Sequence, residues 1–447
     1  GLFSLVRRAD GAVAAGMGRP ERVLAQAVEP RAGAPFLETL RDGASDTLLT
    51  RLRRVDLRDV ELRLVDEVDA LTLLVADARA EVILEAERIE ADLSGALLTS
   101  AGRAPVAASL ATGRDLSSLF VDLRVRDLVP AAAAPQRGAF SGFSAIDAPL
   151  DLDLVIDADA QAGLSAALLD LTAGEGVIRR EGETYAFAGA RAQLELDART
   201  GVLDVRALDI DAELARVSAA GRVENFAEFD NAVPGRADYA LDFAEGGITL
   251  EGVFREPLRW NSASVQGVVR PADLSLGLER LTIDLPEADG VFAGQVSMER
   301  VDGRWLPDLE LSGPIEGSVT ADTVLKYWPV DFALGARDWI RDRILGGRVS
   351  NARLDLDISA EALAERFIED PALSLSFDFA DADVSYVSTM TPLRGLSGSA
   401  ELRGNSLSLS GTDAAIGPMQ IDTIFVEIPR LNPKGAIARF GGTGRGG

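Results

Sequence analysis

The sequence has no cysteine and no histidine. Without thiols there are no disulfides and no thiolate metal sites, a composition compatible with an oxidising compartment. Without imidazole the usual zinc ligand, the near-neutral general base and the Ser-His-Asp mechanism are all missing. An enzyme made from this chain would rest on carboxylates, tyrosine, or its two lysines, Lys326 and Lys434. The expectation is a non-enzyme with no cofactor and no metal. Basic residues are also in deficit, 45 against 71 acidic ones, for a net charge of −26. Such a surface repels phosphate, so nucleic acid is not an expected partner, nor is adsorption over its whole surface to an anionic membrane. No run of 18 apolar residues is present, so no transmembrane helix is expected. The chain opens "GLFSLVRRAD", without Met or the order of a signal peptide, and closes "FGGTGRGG". Both ends read as cuts in a longer protein, with any anchor or export signal outside them.

What the chain does have is aliphatic alternation. It is 47% hydrophobic but only 6% aromatic. In "PLDLDLVIDADA" Leu150, Leu152, Leu154 and Ile156 point one way, and Asp151, Asp153 and Asp157 the other. The period of two recurs at Leu194 and Leu196, at Tyr239, Leu241 and Phe243, and at Ile248 and Leu250. It returns at Leu274, Leu276 and Leu278, at Leu354, Leu356 and Ile358, and at Leu373, Leu375, Phe377 and Phe379. Turn-like tracts such as "AGEG", "ARTG" and "PEADG" separate the runs, which reads as antiparallel meanders. Residues 78–93 are rich in helix formers yet also alternate, and their neighbours favour strand. Helical spacing shows at about 20–52, 322–345 and 359–369. The chain therefore divides into a helical lead-in (1–54), β segments at 55–130 and 131–320, a helical hairpin with a strand at 321–372, and a β segment with a flexible tail at 373–447. The Pro- and Ala-rich stretch 128–140 reads as a linker or irregular crossing.

A sheet with one apolar face must cover it, and the helices are too few to do so. Face-to-face sandwiches, a closed barrel, or a trough filled by something else, such as acyl chains, all remain open. An aliphatic surface poor in aromatics suits acyl chains, which need dispersion and no directional contacts. The Asp-rich face reads as a solvated outer surface rather than a calcium site or a carboxylate pair for hydrolysis.

One segment breaks the pattern. "TADTVLKYWP" followed by "ALGARDWIRDRILGGRVSNARLDLDI" resembles a signature of the AsmA-like proteins, in particular the YhdP-type branch, relatives of TamB. The matching positions are Tyr327, Trp328, Pro329, Ala336, Arg337, Trp339, Ile340, Gly346 and Gly347. The strands from about 55 to 430 are similar to that branch in a more generic way. The resemblance implies a mainly β fold: a long curled antiparallel β-sheet, groove- or taco-like, with a few short helices. It implies a periplasmic protein anchored in the inner membrane of a Gram-negative envelope and moving phospholipid toward the outer membrane, with possible envelope protein partners. The expected lipid-groove residues are Leu152, Leu154, Ile156, Leu194, Leu196, Leu241, Phe243, Ile248, Leu250, Leu274, Leu276, Leu354, Leu356, Ile358, Leu373, Leu375, Phe377 and Phe379. Trp328, Phe332, Trp339 and Ile340 are expected to form one side of an amphipathic hairpin at the sheet edge or mouth, acting as a lid or a plug. The alternative is a sandwich or solenoid scaffold of the envelope with no ligand.

Overall fold

A computed structural model describes the chain except for residues 10–12, 20–52, 116, 135–140, 160–162, 181, 226–234, 251–253, 271–273, 329, 331–333, 366–371, 387–388, 432–435 and 447. The fold is mainly β, an open mixed sheet with 72% of residues in strands and 8% in helices. Two compact units divide it: residues 1–216 with 220–232, and residues 217–219 with 233–447. The division falls inside the stretch 131–320, which the sequence pattern treats as one segment.

The first unit opens with β1 (Leu2–Arg7) and β2 (Val13–Met17), an antiparallel hairpin. The start of the expected helical lead-in is thus strand, because "LFSLVR" alternates and pairs with its neighbours; the helical spacing at 20–52 lies outside the described residues. A meander follows: β3 (Arg54–Asp66), β4 (Leu71–Leu84), β5 (Arg88–Thr99), β6 (Gly102–Gly113) and β7 (Ser118–Leu128). The ambiguous stretch 78–93 is strand, shared between β4 and β5. After a short 3₁₀ turn at Pro130–Ala132 come β8 (Ile146–Asp147), β9 (Leu150–Asp159), β10 (Gly163–Ala173), β11 (Gly176–Arg180), β12 (Glu183–Asp197), β13 (Val202–Ala212) and β14 (Ala215–Glu224). The described pairings give the order β2-β1-β3-β4-β5-β6-β7-β9-β10-β12-β13. All are antiparallel except β1 on β3, which is parallel, so the sheet is mixed rather than purely antiparallel.

The second unit contains β15 (Ala237–Phe243), β16 (Gly246–Ile248), β17 (Leu258–Trp260), β18 (Ser262–Arg270), β19 (Ser275–Asp284), β20 (Asp289–Val301) and β21 (Arg304–Val319). Two helices interrupt, α1 (Ala321–Tyr327) and α2 (Leu334–Arg343). Then come β22 (Ile344–Ile358), α3 (Ala360–Glu365), β23 (Leu373–Val384), β24 (Leu393–Arg403), β25 (Ser406–Ile416), β26 (Met419–Ile428) and β27 (Arg439–Arg445). The antiparallel ladder runs β15-β18-β19-β20-β21-β22-β23-β24-β25-β26-β27. In neither unit does a described pairing join the first strand of the ladder to the last, so neither is a closed barrel.

The core follows a line across the strands. In β3 the apolar alternation runs Val55, Leu57 and then Val60, Leu62, slipping by one residue. Asp59 sits at the slip with a left-handed φ of 51°. β4 slips at Asp77 and β7 at Asp127 in the same way. In the second unit the slips fall at Asn351 in β22 and Asp381 in β23, while Asp413 in β25 holds the same left-handed backbone. Each register slip is a bulge, which inserts one residue, bends its strand and restores the same side chains to the inner face. Short Asx side chains tolerate that backbone best after glycine. The buried residues collect beside these bends: Val60, Ala78, Leu97, Ala104 and Val125 in one unit, and Ala382, Val384, Leu393, Leu396 and Ala414 in the other.

Candidate functional site

Away from that crease the apolar face stays partly open. In the first unit Leu57, Ala80, Leu93, Ala108, Leu123, Leu154, Leu169, Leu194 and Val205 stand opposite one another across nine successive strands. The next row in the same register is Val55, Val82, Ala91, Leu110, Val121, Ile156, Ala167, Leu196 and Leu203. Every position in both rows is aliphatic. Only Val205 and Leu196 are buried; the others are half-buried. A second sheet packed on this face would bury them fully. Among the described residues of this unit the only helices are two short 3₁₀ segments, Pro130–Ala132 and Ser141–Ala145, too short to cover nine strands.

The opposite face carries the charge and neutralises much of it locally. Arg126 donates two hydrogen bonds to the Asp153 carboxylate, at 2.7 and 2.9 Å. Arg54 pairs with Glu81 at 2.8 Å, Arg222 with Asp204 at 2.9 Å, and Arg206 with Glu195. These pairs are solvent-exposed, so each adds little stability. Among the described residues no group of three or more acidic side chains is placed to hold a metal ion.

In the second unit part of the apolar face is covered. Leu354, Leu375, Leu402, Leu407 and Ile428 form one cross-strand row over β22–β26. Trp328, 7% exposed, packs with Leu373 and Leu402, and Val324, Ile340, Leu354, Leu356 and Leu375 close around them. Trp339 and Phe379 pack instead on the crease cluster of Leu393 and Leu396. The α1–α2 hairpin therefore lies on the face of β22–β25, not at an edge. The reason is its connection: α2 ends at Arg343 and β22 starts at Ile344, so the helix folds back on the sheet it enters.

The hairpin is also tied at one end. Thr320 Oγ1 caps α1 by accepting the Thr323 N–H at 3.4 Å. Glu287, in the β19–β20 turn, accepts from Lys326 Nζ at 2.9 Å and from Tyr327 Oη at 2.6 Å. The Lys326 hydrogen bond, followed by that of Tyr327, holds the Glu287 carboxyl below its usual range. The same contact raises Lys326, and burial raises Tyr327.

Most expected groove residues share the apolar face. Leu152, Leu154, Ile156, Leu194, Leu241, Phe243, Ile248, Leu354, Leu356, Leu375, Phe377 and Phe379 are half-buried, while Leu196, Ile358 and Leu373 are buried. Three depart from expectation. Leu250 is 37% exposed and lies beyond the end of β16. Leu274 is 49% exposed at a turn with a left-handed φ of 48°, which removes it from the alternation of β19. Leu276 stays in β19 but is 37% exposed. Phe332 falls outside the described residues. The crease aspartates are solvent-exposed, like the acidic residues the sequence pattern places outside, but their role as bends went unread; the one-residue slip in apolar spacing was the signal available for it.

A sequence model of the YhdP protein family matches residues 168–446. No curated protein and no solved structure matches the chain.

Proposed function

This chain belongs to the YhdP family, and from that premise we propose that it is a non-enzymatic lipid-transfer module of the AsmA-like type. YhdP is a cell-envelope family related to bridge-like lipid transport. In this reading the protein works in the periplasm, tethered to the inner membrane. Its apolar sheet face accepts phospholipid acyl chains on their way between the inner and outer membranes, with envelope proteins as partners at the ends. The observation that carries the reading is the pair of aliphatic rows over nine strands of the first unit, half-buried except at Leu196 and Val205 and with no long helix over them among the described residues. Acyl chains complete such a face through dispersion alone. The hairpin residues Trp328, Trp339 and Ile340 act as a plug, since they fill the face of β22–β25 from the crease outward.

Native mass spectrometry with lipid extraction tests the reading. Co-purified phospholipid, lost when Leu154 and Leu169 are both replaced by Asp in a chain that still melts cooperatively, is the expected result. The covered face of the second unit favours a second reading, a scaffold with no ligand. A lipid-free mass after gentle purification and after incubation with phospholipid vesicles would falsify the transfer reading and leave the scaffold.

A further inference from the structure

We propose that Arg337 is an anion site on the helix that lies over the apolar face of the second unit, and that its ligand is the phosphate of a lipid whose tails lie on the half-buried leucines of that face, such as Leu354 and Leu375. The proposal rests on the lipid reading above and adds a headgroup position to it. Arg337 is 6% exposed, and its Nε is buried with no hydrogen-bond partner. No ion pair or hydrogen bond to it is made among the described residues. A guanidinium cannot shed its proton, so a buried one is stable only where an anion or several acceptors meet it. Among the described residues, the acids of its own helix are engaged elsewhere: Asp338 and Asp342 both pair with Arg341, at 2.8 and 2.9 Å.

The position sharpens the inference. Arg337 is in the first turn of α2, where the helix dipole is positive and the turn itself carries no acidic residue. A structural cation belongs at the other end of a helix; here two sources of positive potential coincide. One turn further, Ile340 packs on Trp328, Leu373 and Leu402. The cation therefore borders a wall of aliphatic and indole surface, the arrangement that suits a ligand with a charged head and hydrocarbon tails. Arg114 holds the other buried unpartnered Nε among the described residues, but its side chain is only half-buried and lies just past the end of β6. It has no comparable setting.

Three soluble probes separate the cases: dihexanoyl phosphatidylglycerol, dihexanoylglycerol with the same tails and no phosphate, and inorganic phosphate. The intact chain should bind the phospholipid about tenfold or more tightly than the diacylglycerol, the gain of one charge-assisted, bidentate contact. Arg337→Gln should abolish that preference while leaving diacylglycerol binding unchanged, and Arg337→Lys should keep part of it. Inorganic phosphate bound as tightly as the phospholipid, and lost in Arg337→Gln, would keep the anion site and overturn its lipid source. An unaltered preference in Arg337→Gln overturns the site while leaving the groove reading intact. Failure of both lipids to bind the unmodified chain instead removes the groove reading. Should Arg337→Gln not fold, thermal melting of the unmodified chain decides: a larger upward shift with phospholipid than with diacylglycerol supports the proposal, and equal shifts end it.

Discussion

At the scale of single residues, Leu154 and Leu373 are the same side chain on the same kind of face with different cover. Leu154 is half-buried on open sheet, and Leu373 is 3% exposed beneath the hairpin. Leu154→Asp leaves its carboxylate within reach of water, so the melting temperature should barely move while lipid loading falls. Leu373→Asp buries an unpaired charge and should cost about 3 kcal/mol or more in a denaturant titration. Equal destabilisation by the two would mean the first unit's face is a dry core. Trp328 makes a similar argument from size. Its truncation to Ala should cost about 3–5 kcal/mol and speed hydrogen exchange in β22 and β23, the strands it covers. The more exposed Trp339 should cost less.

At the scale of elements, the bulged strands explain what could be read in advance and what could not. Period-two runs such as "LDLDLVID" and "LSLSFDF" placed β9 and β23 correctly, because side-chain alternation is a local property of an extended chain. The hairpin was also legible, with α1 ending at Tyr327 before Trp328 and Pro329. Its resting place was not, since the face a helix covers depends on contacts far away in sequence. The crease was written in the sequence as apolar intervals of three residues across an Asp or Asn, yet the meaning of that interval depends on neighbouring strands bending together. Asp381→Gly should accordingly be tolerated, whereas Asp381→Val should cost about 1–2 kcal/mol by forcing a branched side chain into the left-handed region, as measured by chemical denaturation.

The Glu287 tie gives the hairpin a pH dependence. A carboxylate held below its unfolded value of about 4.3 stabilises the fold above that pH and loses the contribution as pH falls through its lower folded value. Lys326, raised by the same contact, contributes below about 10.4 and loses it as pH rises through its higher folded value. Protection of α1 against hydrogen exchange should exceed that of a Glu287→Gln variant near neutrality. The difference should shrink as pH falls through and below the ordinary carboxylate range. A difference undiminished in strong acid would show that the tie is not ionic.

At the scale of the whole chain, capacity follows from the rows. Nine strands enclose eight spacings, so the open face of the first unit extends roughly 38 Å along the direction of stacking. Acyl chains lying along the strands need only about one strand spacing each. Native mass spectra of the saturated protein should therefore show several phospholipids per chain, and a strict limit of one would point to a single pocket.

Those rows have one more consequence, for movement. A hydrocarbon tail stepping from one strand to the next along a row leaves one aliphatic side chain for another, so the surface is nearly uncorrugated. Exchanging a leucine contact for an alanine contact alters only a few atom pairs worth about 0.1–0.2 kcal/mol each, comparable to thermal energy. For a lipid held on this face, no step along the rows would be deep enough to trap its tail. Transit would be a one-dimensional random walk, its net direction set by supply at one end and removal at the other.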